Sequence, residues 1–255
     1  MSQESVQGSV AATTGTEERV SAVAVAEFTH HHLNASLLTM KLANKIEEDV
    51  VKCQDRIPTY SQVSDYISFS ASSIMSSVAA LENNIQEILF YKDAVGVMQA
   101  IEQSTQKKLE ALSKKYDWFD SNTSVLDQLK KKPSIIPKYE IIAFLLNGEF
   151  LIRNKKTKIE DTEYLIDIRN ALIHFSPEVE AEISGRSFEL KRHASIINSK
   201  KNRFSYSPLF GKEHASFPNS IIHAGSAEWA YNTVNDFIEF YNKTIISKWT
   251  SDKPL

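Results

Sequence analysis

An all-α fold, an up-and-down bundle of long helices, is what this sequence predicts, and three observations carry it. Only seven Gly and seven Pro punctuate 255 residues. Apolar residues recur at helical spacing over long segments between those breakers. Hydrophobic residues make up 42% of the chain, enough for a sizeable core in a protein of this length.

The formal net charge of −3 excludes a polycation that holds nucleic acid by total charge, though it leaves room for a local basic patch. Cys53 is the only cysteine. It has no partner for an internal disulfide and no companions for a zinc site, so the expected compartment is a reducing cytoplasm. There is no run of about eighteen apolar residues, and the N-terminus lacks the basic flank and apolar block of a signal peptide. Neither membrane contact nor a cofactor is expected.

Residues 1–16 are small and polar and cannot offset the entropy of ordering by burial, so a disordered tail is predicted. A single helical domain then spans 17–247, with an insertion at about 178–222 and a C-terminal tail at 248–255. The first helix is expected from about Glu17 to Asp55, capped by Thr16. Its predicted shared face is Val20, Val23, Ala24, Glu27, Phe28, His31, Ala35, Leu38, Leu42 and Ile46. His30, His31 and His32 point about 100° apart on a helix and cannot converge on one metal ion.

Ile57-Pro58 breaks the chain, and a second helix is predicted from about Ser61 to Asp93. Its stripe is Ile67, Ile74, Val78, Leu81, Ile85, Ile88 and Leu89, with Ser and Ala between them that let another helix come close. Glu82 and Asn83 stand beside this stripe. Helical character is expected over Val95–Tyr116, turns and apolar residues over Trp118–Ile136, and a strongly apolar helix over Ser134–Leu151. The last helix, about Ala224 to Ser247, turns Ala227, Ala230, Tyr231, Val234, Phe237, Ile238 and Tyr241 inward. Between Pro177 and Asn219 helical signals fade, and a strand or hairpin at Phe188–Ile197 is the reading there. Lys191, Arg192, Lys200, Lys201 and Arg203, interleaved with Phe204, Tyr206 and Phe210, combine charge and stacking faces in the way that grips single-stranded RNA, and a long exposed loop has the same composition.

The most informative stretch is Glu160 to Pro177, EDTEYLIDIRNALIHFSP. On a helix, Tyr164, Leu165, Ile168, Ala171, Leu172 and Phe175 gather on one arc, and Glu163, Asp167, Asn170 and His174 on another. Arg169 sits on the flank beside Ile166 and Ile173. A carboxylate, an amide, an imidazole and a guanidinium within two turns form an acid–base inventory. Pro177 ends the helix, so His174 falls at its C-terminal end.

Arg169-Asn170-Ala171-Leu172-Ile173-His174 resembles the Arg-x(4 to 6)-His signature of HEPN domains, an all-helical superfamily, and includes the Asn that is common after the Arg. Ala71–Tyr91 resembles the small-residue-rich helix whose Glu packs beside the motif helix in that family. The resemblance implies a bundle of HEPN type and a metal-independent endoribonuclease. Its catalytic residues would be Arg169, Asn170 and His174, supported by Glu82, Glu163 and Asp167. His174 would move protons near neutral pH. Arg169 would hold the phosphate oxygens as charge builds on them, Asn170 would orient phosphate or imidazole, and Glu163 or Asp167 would fix the His tautomer. The products would be a 2′,3′-cyclic phosphate and a 5′-hydroxyl.

One His serves poorly for both nucleophile and leaving group. The resemblance therefore also implies a homodimer through the motif helix, with Ile166 and Ile173 at the contact. By family analogy the role would be that of a toxin or an anti-phage defence effector acting on RNA. No antitoxin or regulator is identifiable. Two readings compete: a non-catalytic HEPN-like dimer that binds a nucleotide or a protein, and an unrelated bundle in which the motif is a coincidence.

Overall fold

Long amphipathic helices can bury their apolar stripes only against one another, and that requirement builds this molecule. The computed structural model describes residues 28–52, 57–90, 101, 103–131, 134–150, 156–174, 203–204, 207–210, 218 and 220–246. Its helices are α1 (Phe28–Lys52), α2 (Tyr60–Phe90), α3 (Gln106–Lys115), α4 (Val125–Lys131), α5 (Ile135–Asn147), α6 (Lys156–Ile173) and α7 (Ala224–Tyr241). A π-helical turn, Asn242–Ile246, continues α7. No strand occurs among the described residues, and the fold is all-α. The expected tails and the strand at 188–197 lie outside them.

The centre of the fold is α2, which packs against α1, α7, α6 and α5. Ile74, Val78, Leu81, Ile85, Ile88 and Leu89 are buried along it, as helical spacing requires. α1 runs antiparallel to α2, pinned at three levels. The Thr29 amide donates to Glu87 Oε1 at 2.9 Å, Ser36 meets Ser73 and Ser77 at 3.0 and 2.7 Å, and Glu47 accepts from the Tyr66 hydroxyl.

This contact corrects the sequence reading of α1. Of the predicted face, Phe28, Leu38 and Leu42 are exposed, as are His31 and Ala35, while the buried residues are Thr29, Leu33, Ser36, Met40 and Ala43. Beside Leu33 and Met40, the small side chains of Thr29, Ser36 and Ala43 are buried here because the serines and alanines of α2 permit close approach. Hydroxyls that bond across the contact lose little on burial. The expected start of the helix at Glu17 lies outside the described residues.

α7 closes the bundle. Ala227, Ala230, Val234, Phe237, Ile238 and Tyr241 are buried, with Tyr231 only partly so. Tyr139 of α5 packs edge-on against Phe237 and Tyr241, with ring centroids 5.0 and 4.7 Å apart. The Tyr139 hydroxyl lies 3.0 Å from the Leu81 carbonyl and 3.0 Å from Asn84 Oδ1, and Tyr241 donates to the Tyr139 carbonyl at 3.1 Å. α5 starts after Ser134 with Pro137 in its first turn, where no amide proton is needed. It ends at Gly148, whose φ of 76° is the left-handed cap that glycine adopts without a Cβ penalty.

Of the stretch expected to be helical over Val95–Tyr116, Ile101 and Gln106–Lys115 are helical, while residues 95–100 and 102 lie outside the described residues. Residues 103–105 form a turn, and Thr105 stands at the N-cap with extended backbone.

Candidate functional site

The site is built on α6. Tyr164, Leu165, Ile168 and Ala171 are buried, which fixes the roll of the helix and turns Glu163, Asp167 and His174 to solvent. Asn170 is half-buried beside them. The helix ends at Ile173, and His174 follows in a turn with its amide still bonded to the Asn170 carbonyl at 3.0 Å. Ile173, immediately before it, is 49% exposed. Phe175 lies outside the described residues.

Arg169 points toward α2 and forms an ion pair with Glu82 through its Nη2. Glu82 itself remains about half exposed. Asn83, its neighbour, donates back to the Ala79 carbonyl at 2.9 Å and takes no part.

The electrostatics of this end of the molecule are acidic. Burial pushes the Glu163 carboxyl above its ordinary range, and repulsion from Glu140, Asp167 and Glu160 adds to the effect. Burial likewise raises Asp167. Neither carboxylate hydrogen-bonds the His174 imidazole among the described residues.

Sequence reasoning missed two charged residues here, Lys138 and Glu140. Both are buried on α5, in a segment that reads as apolar. Burial depresses the Lys138 ammonium below its usual range, and the field of Glu82 opposes that shift, so Lys138 stands within electrostatic reach of the Arg169 partner. Glu140 accepts from the Tyr116 hydroxyl and lies 3.6 Å from Lys115 Nζ. Their one advance signal was charge inside an apolar run, which demands compensation somewhere.

Of the residues expected to hold RNA, Lys191, Arg192, Lys200 and Lys201 lie outside the described residues. Arg203 is described: its Nε donates to Asp161 Oδ1 at 2.7 Å, and its guanidinium sits 4.7 Å from the centre of the Tyr164 ring. That places it at the N-terminal half of α6, far from His174. It borders a cleft of about 490 Å³ between α6 and α7. No group of residues that could hold a metal ion occurs among the described residues, and no described helix is long and apolar enough to cross a membrane.

His223 also lacked an assigned role in the sequence. It is buried and caps α7: Nδ1 accepts from the Ser226 amide at 3.2 Å, while Ser226 Oγ accepts from the His223 amide at 3.1 Å. The pattern is a capping box with imidazole in place of the usual hydroxyl or carboxylate.

No family model matches this chain, and neither the curated proteins nor the solved structures contain a match to it.

Proposed function

We propose that this chain is a metal-independent endoribonuclease of HEPN type that acts as a homodimer in the cytoplasm. The observation that supports it best is the arrangement around the end of α6. An exposed imidazole follows the last turn, an amide lies one turn back, and a guanidinium on the flank is steadied by Glu82 from the small-residue helix. RNA carries its own nucleophile, so the protein need only move protons and stabilise charge. The 2′-oxygen attacks phosphorus as His174 takes its proton. Arg169 then stabilises the phosphorane oxygens. The bond from phosphorus to the 5′-oxygen breaks, and that oxygen leaves as a hydroxyl after taking a proton from the His174 of the second copy. A defensive or toxin role is the biology that the resemblance suggests.

The test is cleavage of total RNA with EDTA present. Wild type is expected to cleave, while His174→Ala and Arg169→Ala lose activity by at least about a hundredfold with unchanged far-ultraviolet circular dichroism. RNA decay at the wild-type rate in purified His174→Ala protein sinks the assignment.

The pairing of Arg169 with Glu82 also favours a second reading, a non-catalytic dimeric module that binds a nucleotide or a protein, because the carboxylate already neutralises the cation that phosphate would need. A dimer that leaves RNA intact yet binds a nucleotide or a protein would establish that reading.

A further inference from the structure

The cleft between α6 and α7 is chemically unlike the end of α6 where His174 stands. Measured along the helix, Asp161 at its edge is roughly 20 Å from His174 at 1.5 Å per residue. Its edges carry ion pairs: Arg203 with Asp161 at 2.7 Å, and Lys158 with Asp236 at 3.4 Å. With these cations already matched, the further carboxylate of Glu228 leaves the lining net negative, which disfavours a phosphate or another free anion inside.

The interior instead offers a flat apolar surface beside open hydrogen-bonding groups. The Trp229 indole lines the cleft and is braced by Tyr164 and Phe204, with centroids 5.7 and 5.4 Å away. Beside it stand the Glu228 carboxylate and the Asn232 amide, neither hydrogen-bonded to another described residue. Spaced at 228, 229 and 232, these three occupy one face of α7, away from the core face of Ala227, Ala230 and Val234.

We propose that this cleft binds a guanine base. A planar heterocycle fits against Trp229, and a cleft of about 490 Å³ is in the range that holds a small ligand. A carboxylate accepts two parallel donors best. Among the RNA bases only guanine presents two adjacent donors, N1–H and the 2-amino group, on its pairing edge, while its O6 and N7 accept from an amide such as that of Asn232. Adenine and cytosine each set a donor beside an acceptor, and uracil has one donor between two carbonyls. The phosphate of any attached nucleotide would face solvent. The base can come from free guanosine or from an unpaired guanine in RNA. The proposal does not rest on the ribonuclease reading, since nothing in the cleft belongs to the His174 end of α6.

Isothermal titration calorimetry on the full chain separates these sources and tests the site. Guanosine, adenosine and two short single-stranded RNAs, one with guanines and one with adenines in their place and both 2′-O-methylated so that no 2′-hydroxyl can attack, are titrated into wild type, Glu228→Gln and His174→Ala. Binding of guanosine and of the guanine RNA marks a site for the free base. Binding of the guanine RNA alone marks one for RNA. In either case affinity for the adenine counterpart is expected to be at least about tenfold weaker, and Glu228→Gln is expected to erase that preference. His174→Ala should bind guanosine as wild type does, since His174 is not part of the cleft, so a failed cleavage assay and a failed guanosine titration report on different proposals. No binding of either guanine probe, equal binding of adenine, or an unchanged preference in Glu228→Gln overturns the inference. Glu228 is exposed, so its substitution leaves the fold intact, and thermal unfolding at the wild-type midpoint verifies this.

Discussion

Glu163 and Asp167 are exposed by area yet crowded enough by protein that burial raises both carboxyls above their ordinary range, so the fold disfavours their charged forms relative to the unfolded chain. Because the folded state holds these protons more tightly than the unfolded chain does, protonation stabilises it. That stabilisation is complete below the unfolded values of about 4 and is lost as pH rises through the folded ones. Glu163→Gln and Asp167→Asn should therefore raise the melting temperature at pH 7, with the gain shrinking as pH falls toward about 4. Thermal unfolding across that range checks it, and a gain that does not vary with pH would dissociate these carboxyls from the effect. Tyr66 poses the opposite case. Its buried hydroxyl donates to Glu47, lies 2.9 Å from Ser207 Oγ and accepts the Ala224 amide at 3.1 Å. Tyr66→Phe takes this partner from the Ala224 amide and from a half-buried carboxylate, while Ser207 Oγ keeps the Leu209 amide at 3.1 Å, and should cost about 1–3 kcal/mol in denaturant titration.

At the scale of the element, α1 and α2 show what a sequence reveals and what it conceals. The α2 stripe was legible because branched aliphatic residues at helical spacing have one reasonable destination. The inner face of α1 was not, since Thr29, Ser36 and Ala43 are buried on it beside Leu33 and Met40, while Phe28, Leu38 and Leu42 face out. Small residues are chosen by the separation between two helices, and separation is a property of the pair. The candidate site divides in the same way. Arg169, Asn170 and His174 share one local segment, and Glu82 stood out beside an apolar stripe. Lys138 was hidden in an apolar run, and the cleft is assembled from segments too distant for any spacing rule to connect. Two substitutions separate the faces of α1. Ser36→Leu overpacks a close contact and should destabilise by roughly 1–3 kcal/mol, whereas Leu38→Ser on the outer face should stay within about 0.5 kcal/mol. Reversed magnitudes would restore the face that the spacing predicted.

For the whole molecule, the exposed Ile173 beside His174 is where a second copy is expected to pack if the proposed nuclease is a dimer. Ile173→Glu should convert that dimer to a monomer in sedimentation velocity and abolish RNA cleavage with it. Retained activity in a monomeric variant would show that one motif helix suffices. The order in which the bundle is completed has another consequence. α7 covers both α1 and α2, so the aliphatic stripe that ends at Leu89, although α1, α5 and α6 also pack on this helix, lacks its last cover until Ala224 and the residues beyond it exist. On the ribosome, that interval lasts on the order of ten seconds. Throughout it the nascent chain offers a greasy ridge to whatever is nearby, which makes this protein a natural client for a holding chaperone during synthesis.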